Sequence, residues 1–225
     1  MIRGVLFDMD GLLLDTERLG MRIMPDVCAR MGYSMPPALY IRLLGLTSRE
    51  GRHVLEEALD EGFPYEAMMD AFHEAFAQMA QRGEVPAKKG LEACMTGLKA
   101  RGIRRALATS THRSLVELYL QSVAPLRDAL DFVVCGPEVP NGKPAPDIYL
   151  RAAEGLGLAP GECLGVEDSL NGLKSLKAAH VTAVMIPDLM PPDERFRGLV
   201  DYRLDDLNQL CGLIDRLNLG ARARA

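Results

Sequence analysis

Two aspartates lie two residues apart where a short apolar run ends, in Phe7-Asp8-Met9-Asp10-Gly11. Carboxylates so placed can divide the work of a substitution, one attacking as nucleophile while the other moves a proton on the leaving group. Three further polar clusters each follow an apolar run of their own: Thr109-Ser110-Thr111, Gly142-Lys143-Pro144 and Glu167-Asp168-Ser169. Hydroxyls and N–H groups at a helix start can hold an anion. A lysine offers a compact positive charge to a transferring phosphoryl group. Taken singly, each cluster also has an ordinary reading. A D-x-D pair is often a strand-end turn, Thr109 a helix cap, Lys143 a surface lysine, and Glu167-Asp168 a solvated loop pair. Their meaning depends on what brings them together.

The elements that would do so form an alternating pattern. Ile2–Phe7 reads as a strand buried on both faces, and Gly11 supplies the turn behind Asp10. From about residue 16 to residue 85 the periodicity is helical. Leu19, Ile23, Val27 and Met31 mark a first helix that Pro25 should kink or split, and Pro36-Pro37 opens a second that runs to Gly45. Thr47-Ser48-Arg49-Glu50 is a capping box for a third. Tyr65, Met68, Met69, Phe72, Phe76 and Met79 form a fourth stripe with the character of core. After the linker Gly83–Gly90, helices and strands alternate. Strands are expected at 104–108, 132–135, 164–166 and 181–186, and a last helix at 207–217. Such alternation predicts an α/β fold with a parallel sheet flanked by helices, in which ligands sit at the C-terminal strand ends. All four clusters then share one edge. Asp8, Asp10, Glu167 and Asp168 would raise one another's pKa unless a cation lay between them, and an all-oxygen set without paired histidines suits Mg²⁺.

Composition narrows the class. The 225 residues carry a net charge of −5, which offers no electrostatic basis for binding nucleic acid or an anionic membrane. Arg222 and Arg224 give a slightly basic end, read as solvated. No apolar run approaches the roughly 20 residues of a membrane span. Met1-Ile2-Arg3 leads straight into the first strand without a signal peptide, and the five cysteines are scattered, so free thiols in a cytoplasmic protein are expected. With no apolar stripe left over, a monomer is the default.

The stretch Asp8-x-Asp10-Gly11-Leu12-Leu13-Leu14-Asp15-Thr16-Glu17 resembles the opening motif of the haloacid dehalogenase superfamily, in its branch of helical-cap phosphatases and β-phosphoglucomutase-like proteins. The other three clusters are similar to the family's remaining motifs, in order. The resemblance implies a Rossmann-like core of residues 1–14 and 87–225 with a helical cap, residues 15–86, inserted after the first strand. It implies a Mg²⁺-dependent phosphatase acting on a small phosphorylated metabolite, such as a sugar phosphate. Asp8 would be the nucleophile that forms an aspartyl-phosphate, and Asp10 the acid and then base. Thr109, with Ser110, and Lys143 would hold the phosphoryl oxygens. Mg²⁺ would be bound by Asp8, the Asp10 backbone carbonyl and Asp168, with Glu167 assisting. Thr16 and Arg49 are the cap residues expected at the substrate. A phosphosugar mutase is the alternative, because Ser48-Arg49 resembles the segment that grips a second phosphate. Those mutases, however, carry a histidine where this chain has Gly20. A non-catalytic binding protein would be expected to lose one of Asp8, Asp10, Lys143 or Asp168, and all are present.

Overall fold

The run Gly4–Phe7 forms strand β1, with every residue buried. In the computed structural model, which describes residues 1–222, the chain then passes through α1 (Thr16–Arg30), α2 (Pro37–Leu43), α3 (Ser48–Ala58) and α4 (Tyr65–Gln81). It returns to α5 (Leu91–Ala100), β2 (Arg104–Thr109), α6 (Arg113–Ser122), β3 (Phe132–Cys135), α7 (Asp147–Gly155) and β4 (Cys163–Glu167). It closes with α8 (Leu170–Ala178), β5 (Thr182–Met185), β6 (Tyr202–Arg203) and α9 (Leu210–Arg222). Arg222 thus ends the last helix, and Arg224 lies outside the described residues. All strand pairings are parallel, in the order β3-β2-β1-β4-β5-β6. The α/β expectation holds.

Period-two alternation splits the core between the faces of the sheet. Val5 and Phe7 pack with Leu91, Leu98, Tyr119 and Leu210 from α5, α6 and α9 on one side. Leu6 packs with Ile148, Tyr149, Leu173 and Leu176 from α7 and α8 on the other. Helices α1–α4 have a third core of their own, including Met24, Val27, Leu39, Leu55, Phe63 and Met68. Leu19, Phe76 and Ala80 reach out of that group into the core under the sheet.

Several local expectations need correction. Pro25 does not split α1, which runs unbroken with Leu19, Met24, Val27 and Cys28 buried along it. Burying that face offsets the one ladder bond the proline removes. The second helix stops at Leu43, short of Gly45. The α4 stripe is only partly core: Tyr65, Met68 and Phe76 are buried, whereas Met69 and Phe72 are half-buried and face a cavity. Strand β6 has two exposed residues and carries no apolar pattern from which it could be read. The last α-helix starts at Leu210, after a short 3₁₀ turn over Leu207–Gln209. The capping box is present as expected, Thr47 accepting from the Glu50 N–H and Glu50 from the Thr47 N–H.

The chain leaves and re-enters the sheet region through one doublet. Leu14 forms an antiparallel bridge with Ala87, the Asp15 N–H donates to the Pro86 carbonyl (2.9 Å), and the Lys88 N–H to that of Leu13 (2.9 Å).

Helix α7 approaches β3 closely because Gly155 lets the Phe132 ring lie against its backbone; a Cβ there would fall inside contact distance of three ring atoms. Gly155→Ala is therefore expected to lower stability by about 1–3 kcal/mol through overpacking, despite alanine's better helix propensity. A denaturation midpoint equal to or above that of the parent would reject this account of the α7–β3 contact.

Candidate active site

Because β1 lies between β2 and β4 with all three parallel, the chain segments that follow them are neighbours. Open α/β sheets place their crevice at such a point. Asp8 continues β1, its N–H donating to the Val166 carbonyl (3.1 Å). One carboxylate oxygen each from Asp8, Glu167 and Asp168 lie within 4.8 Å of one another.

Lys143, from the loop after β3, enters this cluster with its side chain only 7% exposed. Its ammonium donates to Asp8 and to Glu167 Oε1 (2.7 Å), and it lies 5.0 Å from the centre of the Tyr149 ring. Glu167 is fully buried. Its Oε1 also accepts from the Tyr149 hydroxyl (2.6 Å), and its Oε2 from the Ser169 hydroxyl (2.9 Å) and the N–H groups of Asp168 and Ser169 (both 3.2 Å). Gly172, in the first turn of α8, lets that turn close over the carboxylate, since any Cβ there would collide with it. Glu167 is thus saturated with donors, and holds Lys143 and the β4–α8 loop in place.

Burial, more than any neighbour, pushes the Asp8 carboxyl up to about 8, with Glu167 and Asp10 adding to it and Lys143 opposing. Asp168 is also held well above the usual carboxylate range, by burial first and then by Glu167 and Asp8. Burial works against the Lys143 charge, but Asp8 and Glu167 outweigh it and hold the ammonium above its usual range. One ammonium among three clustered carboxylates leaves a deficit of positive charge. An all-oxygen donor set with that deficit fits a hard divalent cation.

Asp10 is oriented by hydroxyls. Its Oδ1 accepts from Thr16 at the start of α1 (2.8 Å), and its Oδ2 from Thr111 (2.7 Å) and more distantly from Thr109 (3.4 Å). Thr109 is fully buried and also accepts from the Thr111 N–H (3.1 Å). Ser110 and Thr111, not Thr109, line the adjoining cavity. Thr111 belonged to the Thr109-Ser110-Thr111 cluster, but its bond to Asp10 was not foreseen.

Gly11 adopts φ +76°, and a Cβ on it would lie 2.5 Å from Asp168 Oδ2 and 3.3 Å from Asp188 Oδ2. Asp188 follows β5 and was not foreseen from the sequence. Its Oδ1 accepts from Arg18 and from Lys88 (2.5 Å), which also contact Asp15, while its buried Oδ2 has no hydrogen-bond partner among the described residues. These ion pairs flank the doublet that joins α1–α4 to the sheet.

The cluster opens into a cavity of about 680 Å³ between the strand ends and helices α1–α4. Asp8, Asp10, Lys143 and Asp168 lie on its floor, and Glu17, Tyr40, Met68, Met69 and Phe72 above them. Burial chiefly, then Asp10 and Asp188, pushes the Glu17 carboxyl up to about 8. The structure therefore brings Asp8, Asp10, Ser110, Lys143, Glu167 and Asp168 together, with Thr16 bonded to Asp10. Arg49 stays apart, exposed on α3 and outside the lining. Tyr40 and Tyr149 carry no motif of their own, and Glu17, though it ends the opening motif, had no role assigned to it; their positions in the fold reveal them.

Comparison with known proteins agrees with this geometry. Residues 2–180 match the family model of the haloacid dehalogenase-like hydrolases. The putative phosphatase YhcW of Bacillus subtilis is 30% identical over 97% of this chain and 99% of its own. CbbY of Rhodobacter capsulatus is 32% identical over 92% and 94% respectively. A crystal structure of a CbbY variant from Rhodobacter sphaeroides, in complex with xylulose-1,5-bisphosphate, superposes with a TM-score of 0.80 at 30% identity, covering 93% of this chain and 96% of that one. The chain belongs to the haloacid dehalogenase-like hydrolases.

Proposed function

We propose that this hydrolase is a Mg²⁺-dependent phosphatase that cleaves a small phosphorylated metabolite through an aspartyl-phosphate on Asp8. A sugar phosphate is the class to which the xylulose-1,5-bisphosphate complex of the CbbY variant points. The observation that carries the reading is the Lys143 ammonium held between Asp8 and Glu167 at the floor of a cavity, beside a hydroxyl-oriented Asp10.

Asp8 attacks phosphorus and the ester oxygen leaves with a proton from Asp10. Asp10 then takes a proton from water, which attacks the phosphoryl group and frees Asp8. Thr16 and Thr111 keep the Asp10 carboxyl aimed through both steps. Ser110 and Thr111 line the approach to the phosphoryl oxygens, with Thr109 supporting Thr111 from behind. Lys143 orients Asp8 and compensates negative charge, and Glu167 and Tyr149 keep Lys143 in place. Mg²⁺ would be held by Asp8, Asp168 and the Asp10 backbone carbonyl and would neutralise charge on the phosphoryl oxygens, while Glu167, already saturated with donors, would support the site through Lys143 and the β4–α8 loop. Catalysis is then positioning plus charge compensation, as phosphoryl transfer requires.

Residues 15–86 serve as the cap and residues 1–14 with 87–225 as the core. The cap excludes bulk water and selects the leaving group. Hydrolysis rather than mutase chemistry is supported at Gly20, where a Cβ would meet the Tyr40 hydroxyl and the Phe72 ring. The place at which the mutases carry a histidine is filled here by that tyrosine.

Asp8→Asn should lower Mg²⁺-dependent phosphate release by about 10³-fold or more while the circular dichroism spectrum stays unchanged. Chelation of Mg²⁺ should abolish release from the parent. Activity surviving Asp8→Asn intact would remove the covalent mechanism.

A second expectation concerns Glu17. Its folded value of about 8 exceeds the ordinary 4.5, so the folded protein holds this proton more tightly than the unfolded chain. The resulting stability is fully present below pH 4.5 and is lost as pH rises towards 8. Glu17→Gln, which keeps the neutral form at every pH, should lose less stability than the parent between those limits. Parallel thermal-midpoint profiles for the two proteins would show that Glu17 is not buried as described.

A further inference from the structure

We propose that the leaving group this cavity accepts is an uncharged alcohol bearing a ring or similar flat apolar face, and that a substrate with a second phosphate is excluded. The inference rests on the phosphatase reading and gives it a substrate class: a sugar monophosphate of nucleotide type, with one phosphate and a ring carried on the sugar.

The space comes first. A cavity of about 680 Å³ falls in the range of sites for drug-sized ligands and far exceeds what a phosphoryl group alone would fill. Its upper wall is built from Met24, Leu43, Leu55, Met68, Met69 and Phe72. Thioethers and aromatic rings make favourable contacts with flat faces and adapt to their outline.

Charge is the second argument. Among the described residues, Lys143 is the only cation that lines the cavity, and it is already engaged by Asp8 and Glu167. Four carboxylic side chains line the same space: Asp8, Asp10, Glu17 and Asp168. A distal phosphate would be desolvated there with no counter-charge, which is strongly unfavourable. The arginines of α3 do not supply one. Arg52 pairs with Glu66 and stacks 4.8 Å from the centre of the Tyr65 ring, and Arg49 is exposed and outside the lining.

Third, beside the polar side chains of Thr47, Ser48, Ser169 and Asn171 that also line the cavity, one polar pair stands next to Met24, Met68 and Phe72. The Tyr40 hydroxyl donates to Glu17 Oε2 at 3.3 Å, long for an O–H···O bond, so both groups retain capacity for another partner. Gly20 leaves room for the Tyr40 hydroxyl at this point. An uncharged hydroxyl or amide on the substrate meets this pair, making Glu17 and Tyr40 specificity-determining residues.

The test is steady-state kinetics of the Mg²⁺-loaded protein on uridine 5′-monophosphate, ribose 5-phosphate and xylulose 1,5-bisphosphate, with p-nitrophenyl phosphate as a control. The nucleotide should exceed ribose 5-phosphate by about 10-fold in kcat/KM, and the bisphosphate by about 100-fold. Phe72→Ala should raise KM for the nucleotide by about 10-fold and change that for ribose 5-phosphate much less. Leu46 is exposed at the cavity rim, so Leu46→Lys tests the charge argument without disturbing the core; the bisphosphate-to-nucleotide ratio of kcat/KM should rise by about 10-fold. Parent activity on the bisphosphate or on ribose 5-phosphate that matches activity on the nucleotide would overturn the inference and leave the phosphatase reading standing. No release from any compound, the control included, would remove that reading and the inference with it.

Discussion

The contact on which the rest depends is the single ammonium of Lys143 between Asp8 and Glu167. Three carboxylates crowded at the ends of β1 and β4 repel one another, and without a buried cation the strand ends could not hold them so close. Glu167 spends its whole hydrogen-bonding capacity fixing that lysine and the turn into α8, helped by the hydroxyls of Tyr149 and Ser169. The remaining shortfall of positive charge fits the site to a divalent cation, which would in turn offset the charge of a phosphoryl group. Its chemistry thus follows from an electrostatic imbalance that the sheet imposes.

The architecture supplies that imbalance cheaply. Three parallel neighbours put the segments after β1, β2 and β4 side by side, and the segment between β3 and α7 brings Lys143 to them. Glycines set the fine distances: Gly11 allows the turn after Asp10 to pass close to Asp168, and Gly172 lets α8 start directly against Glu167. Each is a place where a side chain would push the carboxylates apart.

Much of this was readable before the structure. The apolar runs at 104–108, 132–135 and 164–166 ended in polar residues, and the β-strands end within a residue of those limits. That sufficed to place Asp8, Lys143 and Glu167 at one edge. What escaped reading depends on contacts between distant segments. The α4 stripe looks the same whether Met69 and Phe72 face core or cavity, because periodicity reports one apolar face and not what covers it. Nothing in the local sequence links Tyr40 to Glu17, Tyr149 to Glu167, or Asp188 to Arg18 and Lys88. Pro25 does not split α1, where tertiary burial along the helix outweighs the local helix-breaking preference.

The doublet of Leu13–Asp15 with Pro86–Lys88 has a consequence for how such a molecule can change over time. The whole of α1–α4 departs from the sheet and rejoins it at one hydrogen-bonded seam, with an apolar core of its own. A different helical insert could be spliced at the same seam with the strand order kept, provided it restored a hydroxyl on Asp10 in place of Thr16 and the side chains of Leu19, Phe76 and Ala80 that reach the core under the sheet. Substrate range can therefore drift by exchange of one module, while the phosphoryl-handling floor is inherited intact.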